Sequence, residues 1–268
     1  MGEIVCTNVG KVWGIDIQRE VVALDDVSFS VRHGEFLVII GPSGCGKSTL
    51  LQMMAGLEQP TSGSITYNGL PITEPASDRS LIFQQPSLYP WLSVLDNVAF
   101  GLMLKGIGRS ERHDQAEGFL RRVGLAEFAR KHPHELSGGM QQRAAIARAL
   151  CLGADVLLMD EPFAALDVQT RYKMQGFLLD IWEGSGKTVV FVTHHIDEAV
   201  YLADRVIILT ARPGRLLDSV SVDMTRPRDV ISRDFEQHRT MFVEHLRAEV
   251  TKAFEEQELA EMLDTRIK

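Results

Sequence analysis

The pattern of apolar and polar positions along residues 3–40 is rich in β-strand character. Val21–Val31 carries Val, Leu and Phe positions with polar breaks. Arg32-His33-Gly34-Glu35 then turns the chain into Phe36-Leu-Val-Ile-Ile40, an apolar run that reads as a buried strand. Thr49–Ala55 reads as the start of a helix and Gln59–Gly63 as a turn. Ser64–Tyr67 alternates as a short strand closed by Asn68-Gly69, a hairpin-type dipeptide. Ser80–Phe83 predicts a further short strand. From about Ser93 to Leu152 the pattern becomes helical, with apolar positions spaced by three and four and few β-branched runs. Strands return at Val156–Met159, Thr188–Val192 and Arg205–Leu209, separated by helical segments. That alternation implies an α/β fold with parallel strands and crossover helices, into which the helical block is inserted. Beyond about residue 230, Ile231, Phe235, Phe242, Leu246, Val250 and Phe254 recur near helical spacing among many charges. They predict an amphipathic helix that docks on the core or on a second copy, or a partly frayed terminal helix.

Composition narrows the class. At 268 residues the chain can bury a full core, as one domain with subdomains or as two domains. A hydrophobic content of 45% and a charged content of 24% are those of a soluble globular protein, and the formal net charge of −8 argues against nucleic acid bound through a broad basic face. Cys6, Cys45 and Cys151 show neither metal-ligand spacing nor a disulfide framework, which fits a reducing cytosol. The apolar runs are too short to span a bilayer, and no apolar segment follows a basic N-terminus as a secretion signal would. Work at a membrane would require a partner that holds the chain there.

The first chemistry lies at Gly41-Pro-Ser-Gly-Cys-Gly46-Lys47-Ser48, which fits G-x-x-x-x-G-K-[ST] at every fixed position between a predicted strand and a predicted helix. Glycines there let backbone N–H groups curl around a phosphate, and the helix N-terminus adds partial positive charge. Lys47 would reach the β- and γ-phosphates, and the Ser48 hydroxyl would ligate Mg²⁺. The chain is expected to bind a nucleoside triphosphate through Gly41, Pro42, Ser43, Gly44, Cys45, Gly46, Lys47, Ser48 and Thr49.

Three further features complete a hydrolytic site. Val156-Leu-Leu-Met-Asp160-Glu161 is an apolar strand ending in two carboxylates. Asp160 would hold Mg²⁺ through water, and Glu161 would orient the attacking water as general base. His194 ends the apolar strand Thr188–Thr193, where it could donate a hydrogen bond to the γ-phosphate. Gln84, after the strand at Ser80–Phe83, is a candidate for Mg²⁺ or the water, though in isolation it reads as a surface residue. Leu136-Ser137-Gly138-Gly139-Met140-Gln141 precedes a strongly helical segment. Ser137 would be the N-cap and the glycines would bare the first N–H groups. That stretch is either an ordinary capped helix or a second anion site facing the nucleotide of another copy.

Taken together, these residues closely resemble the ATP-binding-cassette ATPases over about residues 3–220. The resemblance implies a P-loop NTPase core of RecA type, an antiparallel β subdomain and an inserted α-helical signature subdomain. The ATPase domain would cover 1–222, with the helical subdomain at about 88–153, and a C-terminal helical extension would cover 223–268. In this likeness Gly41–Ser48 is Walker A, Val156–Asp160 is Walker B, Glu161 is the catalytic glutamate, Gln84 is the Q-loop residue and His194 is the switch histidine. Ala165-Leu166-Asp167 is the D-loop of a head-to-tail dimer. Ser137, Gly138, Gly139 and Gln141 would contact nucleotide in trans, with Met140 where Gln is frequent. Trp13 stands where the family stacks an aromatic ring, usually Tyr, on adenine; packing on the β-rich part is the alternative.

Within the family, Gln84–Trp91, Leu95–Leu102, Ala211–Arg215 and Thr225–Asp229 are similar to the ATPase subunits of bacterial importers for nitrate, sulfonates, taurine and related solutes. The apolar Leu88, Tyr89 and Trp91 would either pack on the helical insertion or form a groove for the coupling helix of a membrane permease. The implied protein is a peripheral ATPase at the cytoplasmic face of the inner membrane, using ATP and Mg²⁺. Its partners would be a second copy, the permease and, indirectly, an extracytoplasmic solute-binding protein carried on a separate chain; no nucleic-acid partner is expected. The rival reading is a soluble cluster-assembly ATPase acting on a cytosolic scaffold. A P-loop kinase or GTPase would need neither Leu136–Gln141 nor His194.

Overall fold

A computed structural model describes the backbone of residues 2–14 and 20–267, and side chains as far as Ala253. In chain order, β1 (Ile4–Trp13), β2 (Val21–Val31) and β3 (Phe36–Ile40) precede α1 (Lys47–Ala55); β4 (Ser62–Tyr67), β5 (Leu70–Pro71) and β6 (Arg79–Ile82) follow. Three helices come next, α2 (Val94–Leu104), α3 (Arg109–Arg122) and α4 (Gly138–Leu152). Then come β7 (Val156–Asp160), α5 (Val168–Trp182), β8 (Thr188–Val192), α6 (Ile196–Leu202), β9 (Arg205–Leu209), β10 (Leu216–Ser221) and α7 (Arg233–Ile267). The chain forms two compact units, Met1–Pro75 with Val190–Lys268, and Ala76–Val189.

The first unit holds an antiparallel sheet in the order β2-β1-β4-β5. Ile4 sits opposite Val31 on one side and Tyr67 on the other. A bulge in β1 puts Asn8 at φ 48, and its side-chain amide donates to Asp26 at 2.6 Å, so a polar pair absorbs the kink. The same unit carries β3 and β9 in parallel register, with Leu37 opposite Arg205 and Ile40 opposite Ile208. Every residue of β3 is buried, as its unbroken apolar run requires. Asp204 is tied to β3 twice: its N–H donates to the Phe36 carbonyl at 2.8 Å, and its carboxylate accepts the Phe36 N–H at 2.9 Å.

β10 has no counterpart in the sequence-based expectation. Its residues Leu216-Leu-Asp-Ser-Val-Ser221 are mostly exposed, so no clean alternation marks them, and antiparallel pairing with β9 makes the strand. α7 bears out a long terminal helix, with a shift in its apolar face. Phe235, Phe242 and Leu246 are buried, Val250 is 38% exposed, and Ile231 lies ahead of the helix and is 88% exposed. Phe254 lies outside the described side chains. Upstream, the buried Arg228 guanidinium donates to the carbonyls of Val200, Val222 and Met224, fastening the Thr225–Asp229 segment to the end of α6 and the strand before it.

The second unit pairs β6 with β7 in parallel, Arg79 opposite Val156 and Ile82 opposite Met159. The predicted helical block resolves into the three helices α2, α3 and α4. Gly106 and Gly124 adopt φ +76 and +69, the left-handed conformation that ends α2 and α3. Ser93 caps α2 by accepting the Asp96 N–H at 3.0 Å. α2, α3 and α4 pack on one another through Val98, Leu102, Ala116, Leu120 and Ile146, all buried.

Candidate nucleotide site

The phosphate loop lies in the first unit, between β3 and α1. Gly44 and Gly46 take φ +75 and +99, a region that L side chains avoid. A Cβ on Gly46 would stand 2.6 Å from Leu24 Cδ2 and 3.0 Å from the Ala23 carbonyl. A Cβ on Gly41 would stand 2.8 Å from Cys45 Sγ and 3.0 Å from the Leu209 carbonyl. Glycine is therefore required at both positions for shape, and at Gly46 for φ as well. Lys47 opens α1 and is buried, its ammonium donating to the carbonyls of Gly41 and Pro42, both at 2.8 Å. The lysine thus closes the loop into a ring around its own charge. Ser43, Gly44 and Ser48 are exposed, and no acidic side chain occupies the first turn of α1. The unpaired N–H groups and the positive end of the helix dipole suit an anion.

Sequence reasoning missed what holds this loop from behind. Arg212 Nε donates to the Gly44 carbonyl at 3.2 Å. Gly214 approaches the loop so closely that a Cβ on it would lie 2.0 Å from the Cys45 carbonyl. Gly214 is also stitched to β2, donating to the Ala23 carbonyl at 2.9 Å and accepting the Asp25 N–H at 3.0 Å. The signal was present in Ala211-Arg-Pro-Gly-Arg215, a turn-rich stretch that spacing alone does not assign to a partner.

His194 belongs to the same unit. The Thr193 N–H donates to the Ile39 carbonyl at 3.3 Å, which sets the end of β8 beside the end of β3. The exposed His194 consequently lines one cavity with Gly41, Pro42 and Ser43. His195 is half-buried and its N–H donates to Thr193 Oγ1 at 3.0 Å, a structural role at the start of α6. Trp13 ends β1 and is 39% exposed, with the Lys11 ammonium 4.3 Å from its ring centroid. Lys11 is itself held by Glu58 at 3.1 Å and by the Gln59 carbonyl at 2.8 Å. Trp13 is thus not absorbed into the core of the β-rich part.

The second unit assembles the carboxylates and the signature stretch. β7 is fully buried and delivers Asp160, only 9% exposed, at its end. Glu161 follows at φ 44, a conformation costing a non-glycine residue about 1–2 kcal/mol. Its carboxylate accepts the Gln84 amide N–H at 3.3 Å, so Gln84 is a partner of Glu161 as well as a surface residue. Ser137 caps α4, accepting the Met140 N–H at 3.3 Å. Gly138 has open space where a Cβ would be, whereas a Cβ on Gly139 would sit 3.3 Å from the Ala165 carbonyl. The signature stretch and the D-loop are therefore in contact within one unit. Leu166 is buried, and Asp167 caps α5 by accepting the Thr170 N–H at 3.0 Å; hydrogen bonds from the Thr170 side chain and then its N–H hold the Asp167 carboxyl below the usual range. Gln141 uses its amide N–H groups on the carbonyls of Pro133 and Leu136, at 2.9 and 3.2 Å, and so braces the turn before α4.

The loop from Leu88 to Trp91 divides the two alternatives raised for it. The Tyr89 ring packs 4.5 Å from that of Phe100, and the Arg148 guanidinium lies over it at 5.4 Å. Trp91 stays 71% exposed. Fully buried Asn97 organises the loop, accepting the Tyr89 N–H at 2.8 Å and donating to the carbonyls of Tyr89, Leu92 and Ser93. A polar residue at a buried helix position was the available signal.

The residues present fit a nucleotide triphosphate with its metal. The glycine-lined loop and the start of α1 form an anion cradle that side chains would fill. Among the described residues, no group of three or more His, Cys, Asp or Glu side chains could hold a metal alone. A magnesium ion would therefore draw on single protein oxygen donors together with phosphate and water, as this hard cation commonly does.

A family model described as ABC transporter matches residues 24–164. An uncharacterized ABC transporter ATP-binding protein of Methanocaldococcus jannaschii is 50% identical over 246 residues, 92% of each chain. The taurine import ATP-binding protein TauB of Burkholderia pseudomallei is 50% identical over 204 residues, 76% of this chain and 78% of that one. The nitrate import ATP-binding protein NrtD of a Synechocystis species is 48% identical over 218 residues, 81% and 82% of the two chains. Among solved structures, a dimeric ATP-binding cassette in a post-hydrolysis state with ADP and Pi matches at a TM-score of 0.76 and 34% identity, covering 83% of this chain and all of the other. The chain belongs to the ABC transporter family as an ATP-hydrolysing cassette.

Proposed function

We propose that this chain is the ATPase subunit of an importer for a small anion of the nitrate, sulfonate or taurine type. The phosphate loop carries the ATPase part of this reading. The substrate class rests on the similarity to the taurine and nitrate import proteins, which also favours an importer over a cluster-assembly ATPase. In the proposed site, backbone N–H groups of Gly41–Ser48 and the start of α1 hold the β-phosphate, with Pro42, Ser43, Cys45 and Thr49 shaping the cradle. Lys47 exchanges its bonds to the Gly41 and Pro42 carbonyls for phosphate oxygens. Trp13 offers a π-face to adenine. A bound Mg²⁺, held by Ser48 and through water by Asp160 with Gln84 nearby in role, would neutralise charge developing on the phosphates. Glu161 takes the proton of the attacking water, and His194 holds the γ-phosphate oxygen. Ser137, Gly138, Gly139 and Gln141 of a second copy, with the D-loop residues Leu166 and Asp167, would complete the site.

ATP binding then favours the closed dimer and hydrolysis the open one, and the difference in contacts drives a separate permease between two access states. Exposed Trp91, braced by Tyr89, is the proposed seat for the permease's coupling helix. The chain would thus work as a peripheral protein at the cytoplasmic face of the membrane, with an extracytoplasmic binding protein selecting the solute. The test is a mild-detergent pull-down of the tagged chain from its native host's membranes, read by mass spectrometry. Recovery of a multi-span permease supports the importer. Recovery of a cytosolic scaffold without any membrane protein would retain the ATPase and overturn the importer.

A further inference from the structure

A cavity of about 680 Å³ lies between α7 and the start of the phosphate loop. Its walls include Pro42, Ser43, His194, Val243, Arg247 and Val250. It is lined by Gly41–Ser43 and by none of Gly44–Ser48, so it adjoins the phosphate cradle at the loop's first residues and extends from there along α7. Val243 and Val250 are 45% and 38% exposed, apolar surface that α7 keeps turned to this opening. Arg247 stands between them on the same helix face, and His194 stands opposite. Apolar walls with a guanidinium and an imidazole describe a receptor for a molecule with an apolar body and an anionic head.

The far side of the cavity is also connected to catalysis. The Glu249 carboxylate accepts the Ala211 N–H at 2.6 Å. The next residue, Arg212, holds the Gly44 carbonyl, and Gly214 abuts the Cys45 carbonyl. One turn of α7 therefore both lines the cavity and grips the loop that supports the phosphate-binding backbone.

We propose that this cavity is an effector site for an amphipathic organic anion, and that its occupation lowers ATP turnover. The occupant packs on Pro42 and Ser43 and engages the His194 imidazole, withdrawing it from the γ-phosphate. This proposal rests on the hydrolytic role given above to the phosphate loop and His194.

The test uses the full-length chain and 1-anilinonaphthalene-8-sulfonate, an aryl sulfonate whose fluorescence reports burial, alongside phosphate release from ATP. The expected result is saturable binding of one dye per chain, with hydrolysis falling as the site fills. Arg247→Glu and Val250→Asp, both at exposed positions, should weaken dye binding and inhibition together by roughly ten-fold, the order set by losing one favourable contact of about 1.4 kcal/mol. Arg247→Lys should retain part of both effects, which separates loss of the cation from loss of fold. Unchanged dye binding in both disruptive variants would overturn the site, as would full occupancy with undiminished hydrolysis. Strict competition with ADP would put the dye in the phosphate cradle and overturn it equally. If the chain hydrolysed no ATP without dye, the ATPase reading would fail, and the effect of the variants on dye binding would still judge the cavity.

Discussion

Gln84 Nε2 donates to Glu161 Oε2 at 3.3 Å, joining the second residue beyond β6 to the residue that follows β7. The two strands are already in parallel register, Ile82 opposite Met159, so the contact extends the sheet edge into the site. Glu161 holds φ 44 while its carbonyl accepts the Ala164 N–H at 3.1 Å, so backbone strain and a tight turn aim its carboxylate.

If Glu161 is the general base, Glu161→Gln keeps the side-chain shape and its contact with Gln84 while removing the proton acceptor. Turnover should fall about 10²–10⁴-fold, the usual worth of such a group. Gel filtration in ATP should then show an accumulated dimer. Normal turnover by the variant would refute the base assignment.

Gly214→Ala tests the support behind the phosphate loop. Its Cβ would meet the Cys45 carbonyl at 2.0 Å, a backbone obstacle that no rotamer change relieves. The expected cost is about 1–3 kcal/mol of stability, typical of forced overpacking, together with weaker nucleotide binding. Calorimetric melting and nucleotide titration on the same sample separate the two effects. Unaltered affinity would mean that this contact does not shape the cradle.

Asn97 is buried and bonded four times by the loop that presents Trp91. Asn97→Ala should take the side-chain partner from the Tyr89 N–H and the Leu92 carbonyl, at about 1–3 kcal/mol for each group that water cannot reach, while the Tyr89 and Ser93 carbonyls keep the N–H groups of Leu92 and Asn97. The variant should melt earlier and shift the tryptophan fluorescence. If both readouts matched the parent protein, the loop would owe its shape to Tyr89 and Arg148 instead.

All three thiols are buried, which raises Cys6 to about 12 and Cys151 to about 11. Burial pushes Cys45 up as well, although neighbouring Lys47 pulls it partly back. The thiolate is the reactive form, so at pH 8 each remains a protonated thiol. Ellman's reagent should titrate none of them in the folded chain and all three in guanidinium. Rapid labelling of Cys45 in the native protein would show that the phosphate loop opens readily.

Much of the site was legible because its parts are local. A glycine loop between an apolar strand and a helix specifies its own backbone, and each strand-terminal acid or histidine is placed by the strand before it. Ser137 as a helix cap was readable for the same reason, since cap and acceptor lie three residues apart. Other partners stayed hidden because they are distant along the chain. Gly214 meets Cys45, Glu249 meets Ala211 and Gln84 meets Glu161, and nothing in the spacing of those residues encodes the pairing.

The same division decided the elements. Continuous apolar runs identified β3, β7, β8 and β9, since a strand buried on both faces must be apolar throughout. β10 was silent because backbone pairing to β9, not burial of its side chains, makes it a strand. For α7, periodicity announced a helix, while packing chose which residues faced inward: Phe235 and Phe242 went into the core, and Val250 was left at the cavity rim. Chain-local chemistry by itself determined the phosphate loop, its acids and the alternating architecture. Only the tertiary structure decided what braces the loop and what α7 covers, because those contacts arise when segments remote in sequence compete for the same surface.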